Sequence, residues 1–402
     1  MIYKKEMTMV RKGIVPVVIL LASLFVCSLA VAQTLLPEAP TQGAHLFVNK
    51  GCVRCHALKG EGGKVGPDLG KVDLGDTQLE LASKLINHIP SMVLGMERAK
   101  LAKLTLTGDE LTEISAYLYF LKFFDEPGNP TRGRYLFTEK GCNNCHPLSG
   151  KGREGQPGLS EFPQNITPVF LSQSLWNHGP VMIPRMVNLG MKWPTFEGTE
   201  MMDLLEYIKM SAKGSREAAF ITPGNPKDGK RIFVEKGCIK CHAIRGEGGR
   251  QAEDLGKKAK NFYKSLTQIA SRMWNKGPSV LAKMAETQTG IPKFTPKEMA
   301  DLIAYLYFLH FIDEPGNPAN GKKVFQELGC SKCHSVDRVK GEFMQIDLSK
   351  FQKASNPMDL VAGIWNHSQE IEKAMKEKGI SWPRFKKGEL TDLLGFVRTA
   401  KK

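Results

Sequence analysis

One phrase occurs four times in this chain: Gly43–His56 (GAHLFVNKGCVRCH), Gly133–His146 (GRYLFTEKGCNNCH), Gly229–His242 (GKRIFVEKGCIKCH) and Gly321–His334 (GKKVFQELGCSKCH). Recurrence at 90, 96 and 92 residues is too wide for a stacked solenoid module and marks a small domain in tandem. The 402 residues then divide into an N-terminal segment 1–32 and four units, 33–126, 127–217, 218–314 and 315–402.

Each unit reads as helical, so the expected fold class is all-α. Every phrase opens with a glycine and an aromatic four apart, as in Gly43 with Phe47 and Gly321 with Phe325. That is one turn of a short first helix. A closing helix starts at capping-box signals, Thr107 with Glu110 and Thr295 with Glu298. It carries Ile114/Tyr117, Leu204/Tyr207, Leu302/Tyr305 and Leu393/Phe396 at one fixed place. Glycine on one helix and a bulky pair on the other predict a close crossing of the two. Residues 116–130 and 304–318 differ only at Lys122/His310 and Phe124/Ile312, whereas the link through Lys213 to Pro226 is unlike both. A two-domain unit, duplicated, accounts for this.

The N-terminus places Lys4, Lys5, Arg11 and Lys12 before an apolar run from Gly13 to Ala32 that closes on Ala30, Val31, Ala32. This is a secretory signal pattern, with an uncleaved membrane anchor as the alternative, and it implies an exported, periplasmic setting. Cys27 falls within it and follows Val26, which does not suit a lipidation site. The formal net charge of +15 stays strongly positive without this segment. Export argues against nucleic acid as the partner and leaves acidic docking surfaces of redox proteins, or a membrane respiratory complex.

All eight cysteines beyond Cys27 lie in the four phrases: Cys52 and Cys55, Cys142 and Cys145, Cys238 and Cys241, Cys330 and Cys333. Each pair is followed at once by a histidine, His56, His146, His242 or His334. Two thioethers to one macrocycle need two cysteines close along the chain, and the next residue can turn an imidazole onto the iron. Zinc ribbons and thioredoxin-like pairs also use Cys-x-x-Cys, but neither requires a histidine directly after all four, and no cysteine is left over for disulfides. The motifs therefore predict four covalent haems c.

For the sixth iron ligand, alignment on Ile86/Trp176/Trp274/Trp365 places a methionine ten residues on in every unit: Met96, Met186, Met284 and Met375. The competing residue stands two after the anchor, as His88, His178 and His367, but the third unit has Lys276 there. A design common to all four units therefore favours methionine. The anchor tryptophans, with Trp193 and Trp382, are expected to wall the haem pockets. His45 and His310 lack counterparts and read as surface or packing residues.

With these motifs the chain resembles the class I cytochrome c family, four times over residues 40–402. The resemblance implies a small helical fold, His/Met-ligated haem and reversible electron transfer with no substrate position. A multihaem enzyme of the peroxidase kind is the alternative. It also implies a proline whose carbonyl holds the ligand histidine, matched by Pro67 and Pro157, whereas Glu253 and Ile346 stand there in the third and fourth units. Groups around a metal's ligands tune its potential. The second pair of haems is thus expected to titrate apart from the first, and a redox titration with one shared midpoint would contradict this.

Overall fold

The computed structural model describes residues 36–37, 40–150, 152, 156, 158–162, 166–212, 224–257, 265–336, 346–348, 351 and 356–399. The expected signal segment 1–32, most of the 213–226 link and Pro157 lie outside these residues. Among the described residues, no helix is long and apolar enough to cross a membrane.

The chain is mostly helical, and one element order recurs. The first repeat contains α1 (Pro40–Asn49), α2 (Gln78–Arg98) and α3 (Gly108–Phe120); the second, α4 (Pro130–Glu139), α5 (Pro168–Asn188) and α6 (Glu200–Ser211). The third contains α7 (Pro226–Glu235), α8 (Leu266–Glu286) and α9 (Pro296–Phe308). In the fourth, α10 (Pro318–Glu327) and α13 (Glu389–Thr399) enclose a long helix broken into α11 (Met358–Asn366) and α12 (Ser368–Glu377). Little sheet is present among the described residues. Two-residue strands pair antiparallel, β1 (Ala57–Leu58) with β2 (Glu61–Gly62) and β3 (Ala243–Ile244) with β4 (Glu247–Gly248). A parallel pair joins β5 (His334–Ser335) and β6 (Ile346–Asp347).

The predicted crossing of first and last helices is present in every repeat. A Cβ on Gly43, Gly133, Gly229 or Gly321 would stand 2.0 Å from the carbonyl oxygens of Glu113, Asp203 and Asp301, and 1.9 Å from that of Asp392. Only glycine allows backbones to approach so closely. Beside each contact the aromatic pair meets, with ring centroids 6.4 Å apart for Phe47–Tyr117 and 5.6 to 5.8 Å for Phe137–Tyr207, Phe233–Tyr305 and Phe325–Phe396. Both predicted capping boxes form, at the starts of α3 and α9. Asn129, Asn225 and Asn317 cap α4, α7 and α10, each with a proline in the first turn.

The repeats also lock onto one another. The near-identical segments 116–130 and 304–318 form a reciprocal joint: Phe311 O accepts from Gln78 N at 2.8 Å and Phe123 O from Leu266 N at 3.0 Å. Asp313 then accepts from Thr77 Oγ1 and Leu79 N, and Asp125 from Ser265 Oγ and Thr267 N. Each aspartate supplies an acceptor for orphan N–H groups at the start of the other repeat's long helix. The rings of Tyr119, Tyr307, Phe308, Phe311 and Phe123 pack at the centre of this joint. His310, expected at the surface or in packing, is buried there.

Candidate haem sites

Each motif's cysteines and histidine are positioned by one local device. Glycine at φ of +74° (Gly51, Gly141), +83° (Gly237) or +78° (Gly329) ends the approach from the first helix. A single 3₁₀ turn follows, Cys52–Arg54, Cys142–Asn144, Cys238–Lys240 and Cys330–Lys332. The backbone N–H of His56, His146 and His242 then bonds back to the carbonyl of the first cysteine at 2.9 to 3.0 Å.

The first cysteine of each pair packs against a hydrophobic core. Burial pushes the Cys52 thiol up, and those of Cys142, Cys238 and Cys330 to about 11. Such sulphurs are held uncharged, and a thioether, neutral and apolar, suits the place better than a thiolate. All eight cysteines are free of disulfides. Among the described residues, no group of three or more His, Cys, Asp or Glu gathers to hold a bare metal ion.

In the first and third repeats the expected carbonyl contacts to the motif histidines are present. His56 Nδ1 donates to Pro67 O at 3.0 Å and His242 Nδ1 to Glu253 O at 2.9 Å. A carbonyl only accepts, so the ring proton sits on Nδ1 and Nε2 keeps its lone pair for a metal. Glu253 therefore does for the third repeat what Pro67 does for the first. Its carboxylate is also paired with Arg272 on α8, a tether that Pro67 cannot make. In the fourth repeat, Ile346 pairs with His334 itself through the parallel strands. A Cβ at Gly66 would lie 2.4 Å from His56 Cε1, so the ring is also held by close packing. Paired cysteines, an oriented imidazole and a free Nε2 fit a covalently attached haem.

The four aligned methionines share one structural position, the third residue from the C-terminus of the long helix. The N–H groups of Leu101, Met191, Thr289 and Ile380 bond to the carbonyls of Met96, Met186, Met284 and Met375 at 2.8 to 2.9 Å. Inside these, Lys100, Gly190, Gln288 and Gly379, at φ of +53° to +65°, bond to the residue after each methionine at 3.0 to 3.2 Å. This is the Schellman helix ending, which favours an apolar residue at that place.

His88 and His178 stand beside the motif histidines. The rings of His56 and His88 have centroids 6.4 Å apart at 59°, and those of His146 and His178 6.0 Å apart at 63°. Partial desolvation lowers the pKa of His88 and of His178, and the adjacent motif histidine lowers each further. His367 falls at the break between α11 and α12 and is exposed, and His45 is exposed as well.

The tryptophans do something the sequence did not reveal. Their indole N–H groups cross to other repeats: Trp176 to Pro292 O, Trp274 to Pro194 O and Trp365 to Leu104 O. Trp193 and Trp382 donate to the anchor carbonyls Trp274 O and Ile86 O. Proline four residues on, Pro278 or Pro90, has no N–H to take those carbonyls within the helix, so they are left available to the indoles. The asparagine after each anchor completes the clamp. Asn87, Asn177, Asn275 and Asn366 each bond both the N–H and C=O of one residue across the interface, Phe385, Phe294, Phe196 and Leu106 respectively. Recurrence of that asparagine was the available signal.

The cytochrome c family model matches residues 40–121 and 226–309, the first and third repeats. A nitric oxide reductase subunit from Paracoccus denitrificans is 28% identical over 96 residues, covering 22% of this chain and 63% of that protein. The chain thus spans less than two thirds of that relative's length. No solved structure matches. Residues 40–121 and 226–309 thus match the cytochrome c family model, and a cytochrome c domain implies covalently bound haem c and haem-based electron transfer.

Proposed function

We propose that this chain is an exported tetrahaem c-type cytochrome, one haem on each of four tandem domains, passing single electrons between redox partners. The observation that carries the reading is the fourfold repetition of one turn presenting two cysteines and a histidine, with Nδ1 tied to a carbonyl in the first and third repeats. Haem iron supplies reversible one-electron chemistry. The chain's own part is to hold the histidine tautomer, shield the attachment sulphurs and fix each site against the next. The last task falls to the crossed indoles and asparagines and to the stacked Trp193–Trp274 pair, whose centroids are 4.1 Å apart.

The likeness to a nitric oxide reductase subunit favours a second form of the same reading, in which the chain is the cytochrome subunit of a membrane respiratory complex. Retention on membranes after a salt wash distinguishes the two. The central test is haem count by mass. The exported protein is expected to carry four haems, and replacing both Cys238 and Cys241 with alanine to leave three. Fewer than four on the unaltered chain would refute the reading. Prompt carbon monoxide binding by that chain would move it towards a haem enzyme.

A further inference from the structure

We propose that His88 and His178 are the sixth ligands of the first and second haem irons, opposite His56 and His146, in place of Met96 and Met186. The inference rests on haem attachment at these motifs and adds how the iron is held.

Distance is the first argument. An imidazole nitrogen binds a first-row metal at about 2.0 Å with its ring centroid about 1.1 Å behind it, so two imidazoles opposed across one iron have centroids about 6.2 Å apart. The observed separations of 6.4 and 6.0 Å bracket that value. Direct contact predicts something else: an N–H···N bond between two imidazoles brings the centroids to about 5 Å, and stacking brings them closer still. The same separation and a tilt near 60° recur in two repeats whose histidines sit on different helices, α2 and α5.

Orientation is the second. With Nδ1 of His56 donating to Pro67 O, the nitrogen free to face His88 is Nε2. Nε2 of His56 is therefore the nitrogen left with a lone pair for a metal.

The methionines fail on reach. Met96 lies eight residues beyond His88 on α2, and Met186 eight beyond His178 on α5. Eight residues advance a helix by about 12 Å. Both side chains lean towards the helix N-terminus, so leaning does not close that gap. An iron beside the histidine is out of range of a thioether whose sulphur extends only a few ångströms from its own backbone. Recurrence of the methionine, the ground for preferring it, has its own cause in the Schellman ending that all four long helices share.

The proposal stops at two haems. Lys276 holds the equivalent place in α8, and His367 stands at a helix break. Bis-histidine ligation gives lower potentials than His/Met. The sixth ligand therefore sets the first two haems apart from the third.

The test uses the full haem-loaded chain. His88→Ala and His178→Ala should each convert one low-spin ferric haem to high-spin by electron paramagnetic resonance and open it to carbon monoxide, while added imidazole restores the low-spin signal. Met96→Leu and Met186→Leu should leave the spectra unchanged. Since His88 is exposed, its removal does not threaten the fold. Loss of a low-spin haem in the methionine variants, or none in the histidine variants, overturns the proposal while a count of four haems leaves the electron-carrier reading standing. A count that lacks haem at the first two motifs removes both.

Discussion

Gly229→Ala should destabilise the third repeat by about 3 kcal/mol, at the upper end of what overpacking usually costs. The new methyl would meet Asp301 O at 2.0 Å, Asp301 C at 2.6 Å and Tyr305 Cβ at 2.6 Å. None of these is the tip of a flexible side chain, so α7 and α9 must part. Parting them also separates Phe233 from Tyr305 and uncovers Ile232, which is 2% exposed. Gly95→Ala is the informative counterpart. Gly95 lies within α2 with nothing within 4 Å of an added Cβ, so alanine should stabilise by about 0.5 to 1 kcal/mol through helix propensity alone. Urea unfolding of both variants measures the contrast. Equal midpoints would mean that the helix crossing does not hold the repeat together.

Asn275→Ala should cost about 2 kcal/mol and loosen the joint between the second and third repeats. Its Nδ2 donates to Phe196 O and its Oδ1 accepts from Phe196 N, both at 2.8 Å. Phe196 is only 4% exposed, so truncation leaves a donor and an acceptor away from water, and that desolvation is the larger part of the loss. Asn275→Asp should do no better, because a carboxylate keeps the acceptor but turns a negative oxygen towards the carbonyl of Phe196. Amide hydrogen exchange at Phe196 reads the joint directly. Unchanged protection in the alanine variant would show that the stacked Trp193–Trp274 pair holds the interface unaided.

Much of each unit was legible because its determinants are local. A glycine four residues before an aromatic, a Thr-x-x-Glu box and a Cys-x-x-Cys-His run act within one or two turns of chain. The crossing, the helix starts and the attachment turn accordingly appear where expected. The tryptophans were legible only as bulk. Expected as pocket walls, they place their N–H groups on carbonyls of other repeats, Trp382 on Ile86 O and Trp193 on Trp274 O. No spacing in the chain reports which distant carbonyl a proline has freed.

The proposed sixth ligand shows the same division most sharply. Alignment of repeats selected Met96, Met186, Met284 and Met375 because a feature present four times outweighs one present three times. Recurrence, however, does not separate a ligand from a helix ending, since both place one residue type at a fixed offset.

By itself the sequence determined that four Cys-x-x-Cys-His motifs are present and that each follows a short helix, and it supplied the grounds for proposing haem attachment and export. Those are consequences of covalent spacing and short-range periodicity. The tertiary structure decided which side chains face the motif histidines and how the repeats clamp together. These depend on where separate helices come to lie, and the 6 Å that separates one imidazole from another across thirty-two residues of chain is set by packing.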